Sequence, residues 1–153
     1  LAGAGQRFGA RAIDSIIFMV LLLVVGGVVA GGASALLLSV ADDDSPVVPA
    51  VIVTGVVLVV LGLHYVYEVE VPIRWRGQTP GKRLLKIAMA PLAPGVPLRR
   101  GQLTYRLLVM FVFNILANCY IGLIDPLWCL WDKPFRQCLH DKPAKTVVVR
   151  TGP

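Results

Sequence analysis

QRFGARAIDSIIFMVLLLVVGGVVAGGASALLLSV, from Gln6 to Val40, decides what kind of protein this is. The run exceeds the about 20 apolar residues that a membrane-spanning helix needs. It is too long for a signal-peptide core and lacks a clean small-residue cleavage site. Near its start stands Asp14, with Arg7 and Arg11 just ahead. A carboxylate inside a spanning helix costs about 2.5–3.5 kcal/mol on insertion scales, so something must offset it. Residues 7, 11 and 14 are spaced i, i+4, i+7 and share one helix face.

Composition agrees with a membrane protein. Of 153 residues, 56% are hydrophobic and 16% charged, against about 25% charged in soluble domains. Mean hydropathy is +0.73. The expected fold is an all-α membrane protein in one domain over 1–153, with a first helix at 6–40 and a second at 46–71. A cytoplasmic interfacial connection follows at 72–102, then a third, broken or re-entrant hydrophobic segment at 103–131 and a basic tail at 132–153. The third run, LTYRLLVMFVFNILANCYIGLIDPLWCLW, carries Asn114, Asn118 and Asp125 before Pro126, and the proline weakens a helix there. The chain begins at Leu1 without a Met, which implies native residues ahead of it.

Charge placement gives the orientation. All 15 Lys and Arg lie outside the stretch from Ala12 to Ile73. The turn between the first two runs, Ala41-Asp-Asp-Asp-Ser-Pro46, is acidic. By the positive-inside rule the N-terminus and the basic 74–106 connection face the cytoplasm, in a multi-pass protein of the plasma (inner) membrane. A single third crossing would put the basic tail outside; a re-entrant third segment keeps it inside, as its charge favours.

Within the connection, Thr79 reads as an N-cap with Pro80 opening a short helix. LLKIAMAP and GVPLRR flank Leu92-Ala-Pro-Gly95, which predicts a small interfacial hairpin. Its Lys and Arg suit anionic lipid headgroups.

Three stretches in order resemble the RDD family of small membrane proteins. They are Arg7-x-x-Ala10-x-x-Ile13-Asp14; Gly77-Gln-Thr-Pro-Gly81-Lys82-Arg83-Leu84-Leu85, similar to the family's GQTxGKxLL; and Leu139-His140-Asp141 with Ala144 and Thr146–Val149, similar to LHDxxAGTxVV. Trp128–Asp132 resembles the LW-x-L-x-D stretch ahead of the last. The family is named for one Arg and two Asp. Arg7 and Asp14 match by spacing, and Asp141 and Asp125 compete for the second Asp. Lys145 stands where the pattern has Gly; if that Gly serves a positive-φ turn, the tail geometry here differs. The resemblance implies a helical membrane architecture and a transport role, with sodium/proton exchange suggested for some members.

Each candidate has two readings. Asp14 is a proton or cation site, or a headgroup-level carboxylate salt-bridged to Arg7 or Arg11. His64 and Glu68, at i and i+4, join Asp14 in a proton relay, or belong to an interfacial belt with Tyr65, Tyr67 and Trp75 while Glu68 and Glu70 sit in headgroup water. Gly27/Gly31 and the pair Asn114/Asn118 are helix-packing signals. Gly77–Lys82 is one residue short of a phosphate loop and lacks Ser/Thr after the Lys. The three cysteines form no CxxC, and Cys138-x-His140-Asp141 matches no standard metal spacing. No cofactor, no catalytic nucleophile–base pair and no nucleic-acid partner is expected.

Two functions remain open. One is a cation- or proton-coupled transporter module acting as an oligomer, built on Arg7, Arg11, Asp14, His64, Glu68, Asp125 and Asp141. The other is a non-catalytic accessory or assembly subunit of a larger membrane complex, using the glycine-rich first helix to meet a partner.

Overall fold

The computed structural model describes residues 1–39, 47–116 (side chains to 113) and 127–151. The chain is mostly helical: α1 (Ala4–Ser39), α2 (Val47–Tyr65), a π-helical turn (Val66–Glu70), α3 (Val71–Arg74), α4 (Pro80–Leu84), β1 (Ile87–Pro91), α5 (Arg100–Leu116), a 3-10 turn (Trp128–Leu130) and β2 (Thr146–Arg150). Two helical stretches, Ala4–Ser39 and Val47–Arg74, are long and apolar enough to cross a membrane. Two compact units divide the chain: Leu1–Asp14 with Tyr65–Pro153, and Ser15–His64.

The Ser15–His64 unit is apolar and outward-facing. Val20, Leu23, Val28, Leu38, Val51 and Leu58 are all more than half exposed, so these helices do not form the core of a soluble domain. Their few hydroxyls are satisfied locally: Ser34 and Thr54 each donate to the carbonyl four residues back, at 2.8 Å, which spares them an unmet donor in hydrocarbon.

The other unit is built around β1 and β2. They pair antiparallel in the register Ile87↔Arg150 to Pro91↔Thr146. The all-α expectation therefore gains a two-stranded sheet. The two flanks of the Leu92–Gly95 turn do not pair with each other as expected. KIAMA takes its partner from the tail, where Thr146-Val-Val-Val149 is a β-branched run that suits a strand better than GVPLRR with its Pro and paired Arg. Ile87, Met89 and Val148 pack with Ala2, Ala10, Val69 and Leu103 as the core. The N-terminus joins it through a bond from Ala2 N–H to Val148 O at 3.0 Å.

The second helix is not continuous α-helix to its end. Val71 N–H bonds to Val66 O, five residues back. Pro72 explains the widening. A proline ring inside an α-helix clashes with the carbonyl four residues earlier, here that of Glu68, and a π-turn relieves the crowding. One consequence is that Tyr67, Glu68 and Val69, three consecutive residues, are all buried.

Candidate functional site

Asp14 ends the first-helix segment that belongs to the β1–β2 unit, and it is buried there. Three donors reach its carboxylate. Tyr67 Oη and Gly81 N–H donate to Oδ1, each at 2.8 Å, and Thr79 Oγ1 donates to Oδ2. Thr79 is the N-cap residue of α4, with Pro80 opening the helix, but its hydroxyl makes no cap bond. Asp14 supplies the missing acceptor from another part of the chain, and its charge suits the positive end of α4. Gly81 lets this happen: a Cβ there would lie 2.4 Å from Ala10 O and 2.9 Å from Asp14 Cγ. Gly77 is equally constrained, with φ +85° and the Met89 carbonyl 2.0 Å from any Cβ. The GQTPG stretch is thus the socket for Asp14.

The salt bridge expected between Asp14 and Arg7 or Arg11 is replaced by these neutral donors. Arg11 instead pairs with Glu68 at 2.8 Å. Glu68 is buried, so the reading that leaves it in headgroup water is corrected: the π-turn rotates it inward. Glu70 stays closer to the surface and pairs with Arg100 at 2.8 Å. Arg7 acts as a staple, donating to the carbonyls of Ala2 and Val148 at 3.3 and 3.2 Å, and to that of Arg136.

A second buried cluster surrounds Asp141. Arg106 Nε donates to its Oδ1 at 2.9 Å, while Nη2 stands 2.9 Å from His140 Nε2 and Nη1 meets Met89 Sδ. Cys138 N–H and Thr146 Oγ1 also donate to the carboxylate, both at 3.3 Å. Burial pushes the Asp141 carboxyl up. The positive charge of His140, when protonated, and of Arg106, with the Cys138 N–H, overrides that and holds it at about 2. Cys138, His140 and Asp141 place ligand atoms within 4.8 Å of one another. The guanidinium already lies against two of the three, and its charge opposes a metal ion there, so the donor set fits Arg106 better than a metal.

Lys82 is the exception to this pairing. It is buried, and the hydrogen-bond partner of its ammonium among the described residues is the weak acceptor Met89 Sδ, at 3.5 Å. Burial, aided by the Arg106 charge, pushes it down to about 8 against the pull of Glu68 and Asp14.

The remaining expected site residues fall elsewhere. The His64 ring packs edge-on against Phe18, centroids 4.8 Å apart, in the Ser15–His64 unit. Gly27 and Gly31 have open space beside them. Asn114 lies in α5. Asn118 and Asp125 lie outside the described residues, and Asp141 is buried. Reading the sequence missed Tyr67, Thr79 and Gly81 as partners of Asp14, and Lys82 and Arg106 altogether. Arg106 carried a usable signal, since the one Arg within the third apolar run needs a partner.

A sequence profile described as RDD family matches residues 1–145. No curated protein and no solved structure matches the chain.

Proposed function

The chain belongs to the RDD family and is an integral membrane protein, and from that premise we propose that it is a non-catalytic accessory or assembly subunit of a larger membrane complex. The carrying observation is that Asp14 is engaged on both oxygens, which accept three hydrogen bonds from Tyr67, Thr79 and Gly81. A transport site must release its carboxylate to an ion and take it back, whereas this one caps a helix and joins the start of α1 to α4. Glu68 and Asp141 are likewise held by Arg11 and Arg106. In this reading the polar cluster sets the geometry of a rigid base, and the open glycine face at Gly27 and Gly31 receives a partner helix.

The pairing of β1 with β2, and of Ala2 with Val148, supports a topology in which the N-terminus, the 74–106 connection and the tail share the cytoplasmic side. Three segments of one hydrogen-bonded unit cannot lie on opposite faces of a bilayer, and all three are basic.

One observation favours proton- or cation-coupled transport as the second reading. Lys82 is buried with its ammonium against the weak acceptor Met89 Sδ, and that burial, which pushes it down to about 8, suits an amine that exchanges a proton. Gentle-detergent purification with mass and composition determined separates the two. A stoichiometric assembly with other polypeptides, lost in Gly27→Leu or Gly31→Leu, supports the accessory reading. A homo-oligomer that carries sodium or protons in vesicles, and stops when Lys82 becomes Met while still folding, replaces it with transport.

A further inference from the structure

The turn at the end of the third apolar run is built with its apolar side outward. Trp128–Leu130 forms a single 3-10 turn, in which residues three apart eclipse one another. Trp128 and Trp131 therefore share one edge and Leu127 and Leu130 another, while Cys129 points inward and is buried. Trp131 is 68% exposed, and Leu127, Trp128, Leu130 and Phe135 are exposed with it. Lys133 and Arg136, on the same short stretch, are exposed too.

This patch is held firmly. Asp132 accepts from Gln137 N–H at 2.9 Å and pairs with Lys142 at 2.7 Å, and Gln137 Nε2 donates to Thr146 O of β2 at 2.8 Å. Arg7 donates to the Arg136 carbonyl. That last bond ties the patch to the start of α1, where Arg7 lies. Helix α5 also presents large apolar side chains outward, Tyr105, Leu108, Phe111 and Val112, while it buries Arg106 together with Leu103 and Met110. Large apolar side chains grouped on the outside of a folded unit are what a surface facing lipid requires.

We propose that Leu127–Arg136 is a lipid seat. Trp128, Trp131 and Phe135 enter the headgroup–acyl boundary of the cytoplasmic leaflet, and Lys133 and Arg136 pair with anionic phospholipid headgroups. The proposal rests on the membrane reading and adds where the folded base touches the bilayer and which lipids it selects. Trp and Tyr belong at that boundary by their half-polar rings, and juxtamembrane basic residues prefer anionic lipid.

The test uses the full chain carrying Trp75→Phe, so that emission arises from Trp128 and Trp131, reconstituted in phosphatidylcholine vesicles with and without phosphatidylglycerol. Bromines placed shallow on the acyl chains should quench more than deep ones. Brominated phosphatidylglycerol should quench several-fold more than brominated phosphatidylcholine at equal fraction, and the Lys133→Gln/Arg136→Gln pair should erase that preference while leaving the shallow depth. Quenching by aqueous iodide with no bromine effect overturns the seat, as does shielding from both, which would mean that a protein partner covers the patch. Release of the wild-type protein from native membranes by alkaline carbonate overturns the membrane reading itself, and the seat with it; retention in the membrane with iodide-accessible tryptophans overturns the seat alone.

Discussion

Gly81 has no room for a side chain, because Asp14 and the Ala10 carbonyl occupy the space where a Cβ would stand. Gly81→Ala should cost about 1–3 kcal/mol by overpacking. Asp14→Asn should cost a similar about 1–3 kcal/mol, since its amide turns an acceptor into a donor facing donors. Both would lower the melting temperature in detergent; a Gly81→Ala protein as stable as the wild type would contradict the contact. Lys145 gives the opposite prediction. It sits at φ 52°, the left-handed region that costs a side-chain-bearing residue about 1–2 kcal/mol. The tail thus makes a positive-φ turn at the position where the family pattern has Gly. Lys145→Gly should raise the melting temperature, because the exposed side chain contributes little. Lys82 predicts a pH dependence. Its folded value is about 8 against 10.5 ordinarily, so between those values the unfolded chain binds more protons and stability rises with pH. The rise should amount to roughly 3 kcal/mol at most and should be absent from unfolding curves of Lys82→Met.

Elements in this chain take partners far from themselves. α4 is too short to hold its own N-terminus, and it is held by a residue of α1, with 65 positions between Thr79 and Asp14. β1 cannot stand as a lone strand and is completed by the tail. Deleting Thr146–Arg150 should therefore abolish hydrogen-exchange protection at Ile87–Ala90 and expose Met89. Protection that survived the deletion would mean that β1 pairs with the residues after Gly95 instead. The π-turn belongs to this scale as well: it begins at Val66, so the i, i+4 spacing that predicts one face for His64 and Glu68 does not hold across it.

For the whole molecule, the strongest expectation concerns sidedness. Tags fused to the two ends should both be reached from the cytoplasmic side only. A tail tag reached from outside would break the shared unit that joins Ala2, β1 and β2. Hydropathy made the two apolar helices legible in the sequence. The ordered motifs made the family legible too. The interior of the base was not. Its buried acids and bases look, in sequence, like ordinary charges of a basic connection and tail.

The sequence by itself determined that this is a membrane protein of the RDD family with two helices able to cross the bilayer. Those properties are sums over neighbouring residues, so a local window contains them. Tertiary structure alone decided that Asp14 is met by Thr79, Gly81 and Tyr67 rather than by Arg7 or Arg11, that Asp141 is met by Arg106 across 35 positions, and that the tail is a strand. A buried charge is satisfied by whichever donor the folded backbone brings within hydrogen-bonding distance, and that choice is made by long-range packing that no local pattern encodes.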